Sequence, residues 1–146
     1  MSGATVIQNG RAKAYRPLPA ADRRRAFDAA ISAYERGDYF ETHELLEPAW
    51  MGTDDPAERE LYQGLIKLAA AFVHGVRGNP AGIVKNLFGA RDRLAAAAGT
   101  PPALASGLDV AELVSIIERD LATLAASSGS SPTAPLAAPA LPRSRR

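Results

Sequence analysis

The segment Asp38–Trp50 reads DYFETHELLEPAW, and it decides the fold class because its apolar residues recur with the period of a helix. Asp38 and Glu41 have the D-x-x-E spacing of a capping box, which satisfies free backbone N–H groups where a helix begins. With 3.6 residues per turn, four side chains of the segment share one face. They are Tyr39, His43, Leu46 and Trp50.

Helices are also predicted over most of the rest of the chain. A helix is predicted before this segment at about Asp22–Arg36, with Gly37 at the left-handed position that ends it. Three further helix starts are predicted by the capping box of Asp55 and Glu58 with Pro56, by Asn79 before Pro80, and by the capping box of Asp109 and Glu112. These helices cover about Pro56 to Val76 or Arg77, the residues from Pro80 to a loop at Gly99–Gly107, and about Val110–Ala125. Since no strand is predicted, the fold class is all-α, a compact antiparallel bundle of about five helices.

The two ends of the chain differ in composition from this helical part. Residues 1–19 are polar and contain Gly10, Pro17 and Pro19, which predicts a flexible N-terminal arm. Residues 127–146 are rich in Ser, Pro and Ala, and such a segment buries too little apolar surface to offset its ordering entropy. The predicted division is therefore an arm at 1–19, a helical bundle domain at 20–126 and a disordered basic tail at 127–146.

Charge and composition exclude several classes of protein. The absence of cysteine excludes disulfides, thiolate metal sites and cysteine nucleophiles. All 16 acidic residues lie between Asp22 and Asp120, against 11 Lys and Arg, so this acidic part is a poor candidate for binding nucleic acid. The longest apolar run, Leu68–Val73, is too short to cross a bilayer. We therefore predict a cytoplasmic protein that binds a small polar ligand or a protein partner, with no specific nucleic acid and no membrane.

Several polar residues on the second and third helices are not explained by core packing. His43 and Glu47 lie one turn apart beside apolar residues, and Glu44 is adjacent to His43. The next helix carries a polar stripe on an otherwise apolar surface. It consists of Gln63, Lys67 and His74. Because buried polar groups need partners, we predict that the two sets meet in a polar cleft between these helices.

Three interpretations of this cleft stay open. The first is a structural network of Lys, Glu and His side chains that fixes the register of the bundle. The second is a divalent metal site for zinc or iron, which would make the chain a metal-dependent hydrolase with Glu44 as catalytic base. Its metal ligands would be His43, Glu47 and His74. The third is a metal-free pocket for a small polar or anionic ligand, which Lys67, His74 and Arg77 would bind.

Three pieces of the sequence, taken in order, resemble the domain-of-unknown-function 309 family of small helical proteins. They are GDYFETHELLEPAW at 37–50, YQGLIKLAAAFVH at 62–74 and RGN at 77–79. The resemblance covers about Phe27 to Leu124, and it implies a compact all-α fold without supplying a catalytic mechanism. The matching positions are His43, Glu44, Glu47, Trp50, Gln63, Gly64, His74, Gly78 and Asn79. Pro48 and Lys67 depart from the residues usual in that family.

These observations together predict a ligand-binding or interaction module, with the metal-dependent hydrolase as the alternative. The polar side chains of the two helices, the turn after them and one tryptophan are expected to contact the ligand. They are His43, Glu47, Trp50, Gln63, Lys67, His74, Arg77 and Asn79.

Overall fold

A computed structural model of the chain describes residues 5–8, 11–76, 80–126 and 137–144. Six helices make up most of the described part, so the predicted all-α class is confirmed. They are α1 (Ala20–Glu35), α2 (Tyr39–Met51), α3 (Pro56–Val76), α4 (Pro80–Ala97), α5 (Pro101–Ala105) and α6 (Val110–Ala126). The short α5 lies where the sequence analysis predicts a loop, and it begins with two prolines, whose missing N–H groups cost nothing in a first turn. None of the described helices has the length and apolar character needed to cross a membrane.

Two predicted capping residues begin helices as expected. The side chain of Asp38 accepts a hydrogen bond from the backbone N–H of Glu41 at 3.1 Å, and Asp109 accepts one from Glu112 at 3.0 Å. Between α1 and α2, Gly37 has a φ of 84°, a left-handed conformation that glycine adopts without a steric penalty. The turn at this glycine brings α2 back against α1.

The α3 helix is central and packs against α2, α4 and α5. Its contact with α4 is close because each helix has a glycine there. A Cβ on Gly64 would lie 2.6 Å from Leu94, and a Cβ on Gly89 would lie 2.6 Å from Lys67. Later positions of α3 thus face earlier positions of α4, so these two helices run in opposite directions. The buried residues of α3 include Leu61, Tyr62, Leu65, Ile66, Leu68, Ala69, Ala71 and Phe72.

Before α1 the chain has structure that the sequence analysis does not predict. Strands β1 (Thr5–Gln8) and β2 (Arg11–Ala14) pair with each other in an antiparallel arrangement. The prediction of no strand was wrong here, because four residues are too few for side-chain alternation to be recognised. The backbone N–H groups at positions 16 and 18 then donate to the carbonyls of Met51 and Gly52, each over 3.0 Å. This contact supplies partners to carbonyls at the end of α2, which have none within the helix.

Residues 137–144 pack against the bundle, which corrects the prediction of a disordered tail for this stretch. Leu141 is 6% exposed, and Arg143 forms a β-bridge with Leu108. One buried leucine and a few backbone hydrogen bonds hold the segment, and its Ser/Pro/Ala composition does not reveal them. The rest of the predicted tail, residues 127–136 and 145–146, lies outside the described residues.

Candidate functional site

His43 lies between two carboxylates on the surface of α2. Its Nδ1 is 3.2 Å from Oε1 of Glu44, and its Nε2 is 3.7 Å from Oε2 of Glu47. The side chains of His43 and Glu47 are each 35% exposed, and that of Glu44 is 52% exposed. We call these three residues the α2 cluster. Since all three come from neighbouring turns of one helix, the cluster is local and half-exposed, unlike the predicted cleft between α2 and α3.

The α2 cluster borders a surface cleft of about 400 Å³ between α2 and the segment before α1. This cleft is lined by Arg16, Pro17, Leu18, Glu44, Glu47, Pro48 and Met51. Pro48 has no N–H group, so the carbonyl of Glu44 receives no hydrogen bond from it, yet α2 continues to Met51. Two carboxylates therefore face one arginine across an otherwise apolar surface.

Two of the expected ligand-binding residues lie in the core. Trp50 is 3% exposed, and the guanidinium of Arg59 lies 5.4 Å from the centre of its ring. Gln63 on α3 is also 3% exposed, and its Oε1 has no hydrogen-bond partner among the described residues. Neither side chain is open to a ligand at the surface of the described structure.

Lys67 lies on α3 and faces α4, whereas the sequence analysis places it opposite α2. Its methylene chain covers Gly89, where the missing side chain leaves room for it. The predicted ion pair with a carboxylate of α2 does not occur among the described residues. Burial, together with the positive charges of Arg93 and Lys85, lowers the pKa of Lys67. The four-carbon stem therefore packs on α4 while the amine sits among other cations.

Lys67 and its neighbours form a cleft of about 420 Å³, which we call the α3–α4 cleft. It is lined by Glu60, Lys67, Lys85, Asn86, Gly89, Asp92 and Arg93. Glu60 pairs with Arg93 and Asp92 pairs with the adjacent Arg91, each over 2.9 Å. The two lysines have no carboxylate partner within the described part of the chain. The cleft thus holds two positive charges that its own carboxylates do not neutralise.

Three of the expected site residues cannot be placed. The side chain of His74 and the whole of Arg77 and Asn79 lie outside the described residues. The roles given to these residues stay predictions. Two predicted metal ligands, His43 and Glu47, are adjacent, but the described side chains contain no group of three or more His, Cys, Asp or Glu that could hold a metal ion.

A comparison with protein families gives one match. The family model described as Domain of unknown function (DUF309) matches residues 27–86. The predicted family resemblance is confirmed. The DUF309 match begins at Phe27 as expected, but it ends at Asn86, well before Leu124. Comparisons with curated proteins and with solved structures find no match.

The DUF309 match contains the whole α2 cluster and only part of the α3–α4 cleft. Both lysines of that cleft and Asn86 fall inside the match, whereas Asp92 and Arg93 follow it. Lys67 and Lys85, which have no carboxylate partner among the described residues, therefore lie within the residues that the DUF309 model matches.

A polar network around Glu58 is not predicted from the sequence, and most of it lies inside the DUF309 match. Glu58 is expected to be the capping partner of Asp55, but it accepts hydrogen bonds from Arg23 at 2.7 Å, Thr53 at 2.9 Å and Tyr62. Burial raises the pKa of Glu58, but these hydrogen bonds outweigh it, so the pKa lies below its ordinary value. The network ties α1 to α3, and no local spacing indicates it because its arginine is 35 positions away.

Proposed function

We propose that this chain is a non-catalytic binding module whose α3–α4 cleft takes a small molecule bearing a phosphate or a carboxylate. One observation carries the proposal: Lys67 and Lys85 share a cleft in which no described carboxylate pairs with them. Like charges held close together raise the free energy of the folded state, and an anion between them lowers it.

The surroundings of Lys67 support an anionic ligand. Its stem is held against Gly89, which limits where the amine can go. The pKa of Lys67 is lowered by burial and by two neighbouring cations, and no described carboxylate forms an ion pair with its amine. A bound anion reverses this shift, because an opposite charge favours the protonated amine.

The size and composition of the α3–α4 cleft favour binding over catalysis. Its volume of about 420 Å³ falls within the range of about 300–1,000 Å³ that is usual for small-molecule sites. Its described lining contains amines, carboxylates, an amide and a guanidinium, and it contains no histidine, serine or cysteine. These groups recognise charge, and they include no nucleophile–base pair of the kind that acyl transfer requires.

A calorimetric titration with inorganic pyrophosphate at low ionic strength tests the proposal. We expect Lys67→Met to weaken binding about tenfold or more, since a hydrogen bond to a charged group contributes roughly 1.5–3 kcal/mol. Arg119→Met removes the same charge from the exposed surface of α6, where that side chain is 69% exposed, and should leave the affinity unchanged. Equal losses in the two variants contradict the proposal, and so does a wild type that binds no pyrophosphate at millimolar concentration.

A metal-dependent hydrolase is the alternative, and the 3.7 Å contact between His43 and Glu47 is the observation that favours it. His43, Glu47 and His74 would be the ligands of zinc or iron, and Glu44 would be the base. Metal analysis of untagged protein before and after zinc titration separates the two functions. Stoichiometric metal that is lost in His43→Ala supports the hydrolase, and a protein that stays metal-free on titration removes it.

A further inference from the structure

Residues 137–144, which we call the C-terminal strap, lie in a groove between the end of α1 and the start of α6. The hydroxyl of Tyr34 on α1 donates a hydrogen bond to the carbonyl of Pro139 at 2.8 Å. Leu141 is 6% exposed and belongs to the same hydrophobic core as the helices. The strap is therefore anchored by one apolar side chain and held in position by polar contacts around it.

The backbone of the strap is bonded to the loop between α5 and α6. The N–H of Asp109 donates to the carbonyl of Pro142 at 2.8 Å, and the N–H of Ser144 donates to the carbonyl of Gly107 at 2.9 Å. These bonds flank the β-bridge at Leu108. Extended peptides that dock on proteins use the same combination, in which main-chain hydrogen bonds give affinity and a side-chain pocket gives selectivity.

The charge of the groove complements that of the strap. Arg143 of the strap pairs with Glu35 at 2.8 Å. Asp120 of α6 interacts electrostatically with Tyr34, and one of its carboxylate oxygens is buried without a hydrogen-bond partner among the described residues. The carboxylate that contacts the strap, together with a second one near Tyr34, favours an occupant that carries positive charge.

We propose that this groove is a recognition site for an extended peptide of a partner protein, and that the C-terminal strap is its internal competitor. The partner segment has the chemistry of the strap at 139–143: a leucine with a proline two positions before it, a proline directly after it, and then an arginine. The helices that form the groove have their own core contacts. Their buried residues include Phe27, Ile31, Leu113 and Ile117. Because the groove lies on α1 and α6, the proposal is independent of the α3–α4 cleft.

Occupation by the strap sets the affinity for a partner. A peptide in solution must displace the strap, so its apparent affinity falls with the fraction of grooves that are vacant. Partner binding and release of the strap are thus coupled, and a variant that releases the strap binds the peptide more tightly.

The test uses the full chain and a fluorescent peptide with the sequence of residues 137–144, followed by fluorescence anisotropy. Leu141→Asp removes the anchor of the strap, and we expect this chain to bind the peptide at least about tenfold more tightly than the wild type. A peptide with aspartate in place of its leucine should not bind. Phe88→Asp, at a 44% exposed aromatic residue of α4, is the control and should bind as weakly as the wild type.

Arg143→Glu releases the strap in a second way, since it sets like charges against Glu35 and keeps the buried leucine. The same gain in affinity is expected, so the test holds even where Leu141→Asp does not fold. The proposal is overturned if the wild type binds the peptide as tightly as Leu141→Asp and Arg143→Glu do. It is also overturned if these two variants fold but do not bind the peptide. A wild-type dimer that Leu141→Asp converts to a monomer, measured by light scattering, also overturns it, because the occupant is then the strap of a second copy.

Discussion

Replacing Gly64 or Gly89 with alanine should affect stability differently, because Gly64 faces a rigid neighbour and Gly89 faces a flexible one. In either helix the exchange gains about 1 kcal/mol of helix propensity. At Gly64 the new Cβ would lie 2.6 Å from Cγ of Leu94 and 3.1 Å from its backbone nitrogen. Leu94 is fully buried, so the helices must move apart, at a cost of about 1–3 kcal/mol. We expect Gly64→Ala to lose up to about 2 kcal/mol of stability, the difference between these two effects.

At Gly89 the new Cβ would meet a flexible side chain. It would lie 2.6 Å from Cδ and 3.3 Å from Cε of Lys67. Because a lysine stem can rotate away from the contact, the helices can stay in place. Gly89→Ala should therefore be neutral or stabilise the fold by up to about 1 kcal/mol. Its pyrophosphate affinity should fall all the same, since the amine leaves its position in the cleft.

Urea unfolding followed by tryptophan fluorescence measures both effects. Trp50 is the single tryptophan of the chain and is 3% exposed, so its emission reports the loss of the core. Gly64→Ala should lower the midpoint, and Gly89→Ala should leave it unchanged or raise it. Equal losses of stability in the two variants would contradict this prediction, because Lys67 would then be held as rigidly as Leu94.

Three further predictions concern titrating groups. Lys67→Met should stabilise the fold at neutral pH, because a lowered pKa means that the charged amine is disfavoured in the folded state. In thermal unfolding, the stability gained by the variant should shrink as pH rises to 10.5. A gain in stability that stays constant with pH would contradict this prediction. Glu58→Gln should cost about 2 kcal/mol at pH 7 by urea unfolding, since it weakens charge-assisted hydrogen bonds. That cost should disappear in acid as pH falls through the lowered pKa of Glu58, and a cost that persists at pH below it would count against the network. Asp120→Asn should stabilise the fold at neutral pH, because burial raises the pKa of Asp120 and so disfavours its charged form. The stability gained in thermal unfolding should vanish as pH falls to 3.8. Destabilisation at pH 7 would show that the carboxylate has a favourable partner.

The helix boundaries could be predicted because their signals are local. Asp38 and Asp109 cap the helices that follow them, and Gly37 adopts the left-handed conformation expected of it. Each signal depends on residues within a few positions, so no knowledge of the packing is needed. The same spacing misleads at Glu58, where a carboxylate expected to cap a helix instead binds Arg23 of another helix.

The α3–α4 cleft could not be predicted from the sequence, because it depends on which helix packs against each face of α3. The polar stripe of α3 is visible in the sequence, but the side that Lys67 faces is set by Gly89 on α4. The cluster of His43 with two carboxylates follows from helical spacing, and it stays within α2. The docking of the strap could not be predicted from its composition, because it depends mainly on Leu141 and on backbone hydrogen bonds.

The most direct test of the proposed anion site is a pH titration of lysine signals by NMR with lysine-selective isotope labelling. The chain has three lysines, Lys13, Lys67 and Lys85, so few signals need assignment. We expect Lys67 to titrate below the ordinary lysine pKa of 10.5 in the free protein. Pyrophosphate should raise the pKa of Lys67 and shift the signals of Lys85, but not those of Lys13. A Lys67 pKa that stays the same at saturating pyrophosphate, or equal shifts at all three lysines, would contradict it.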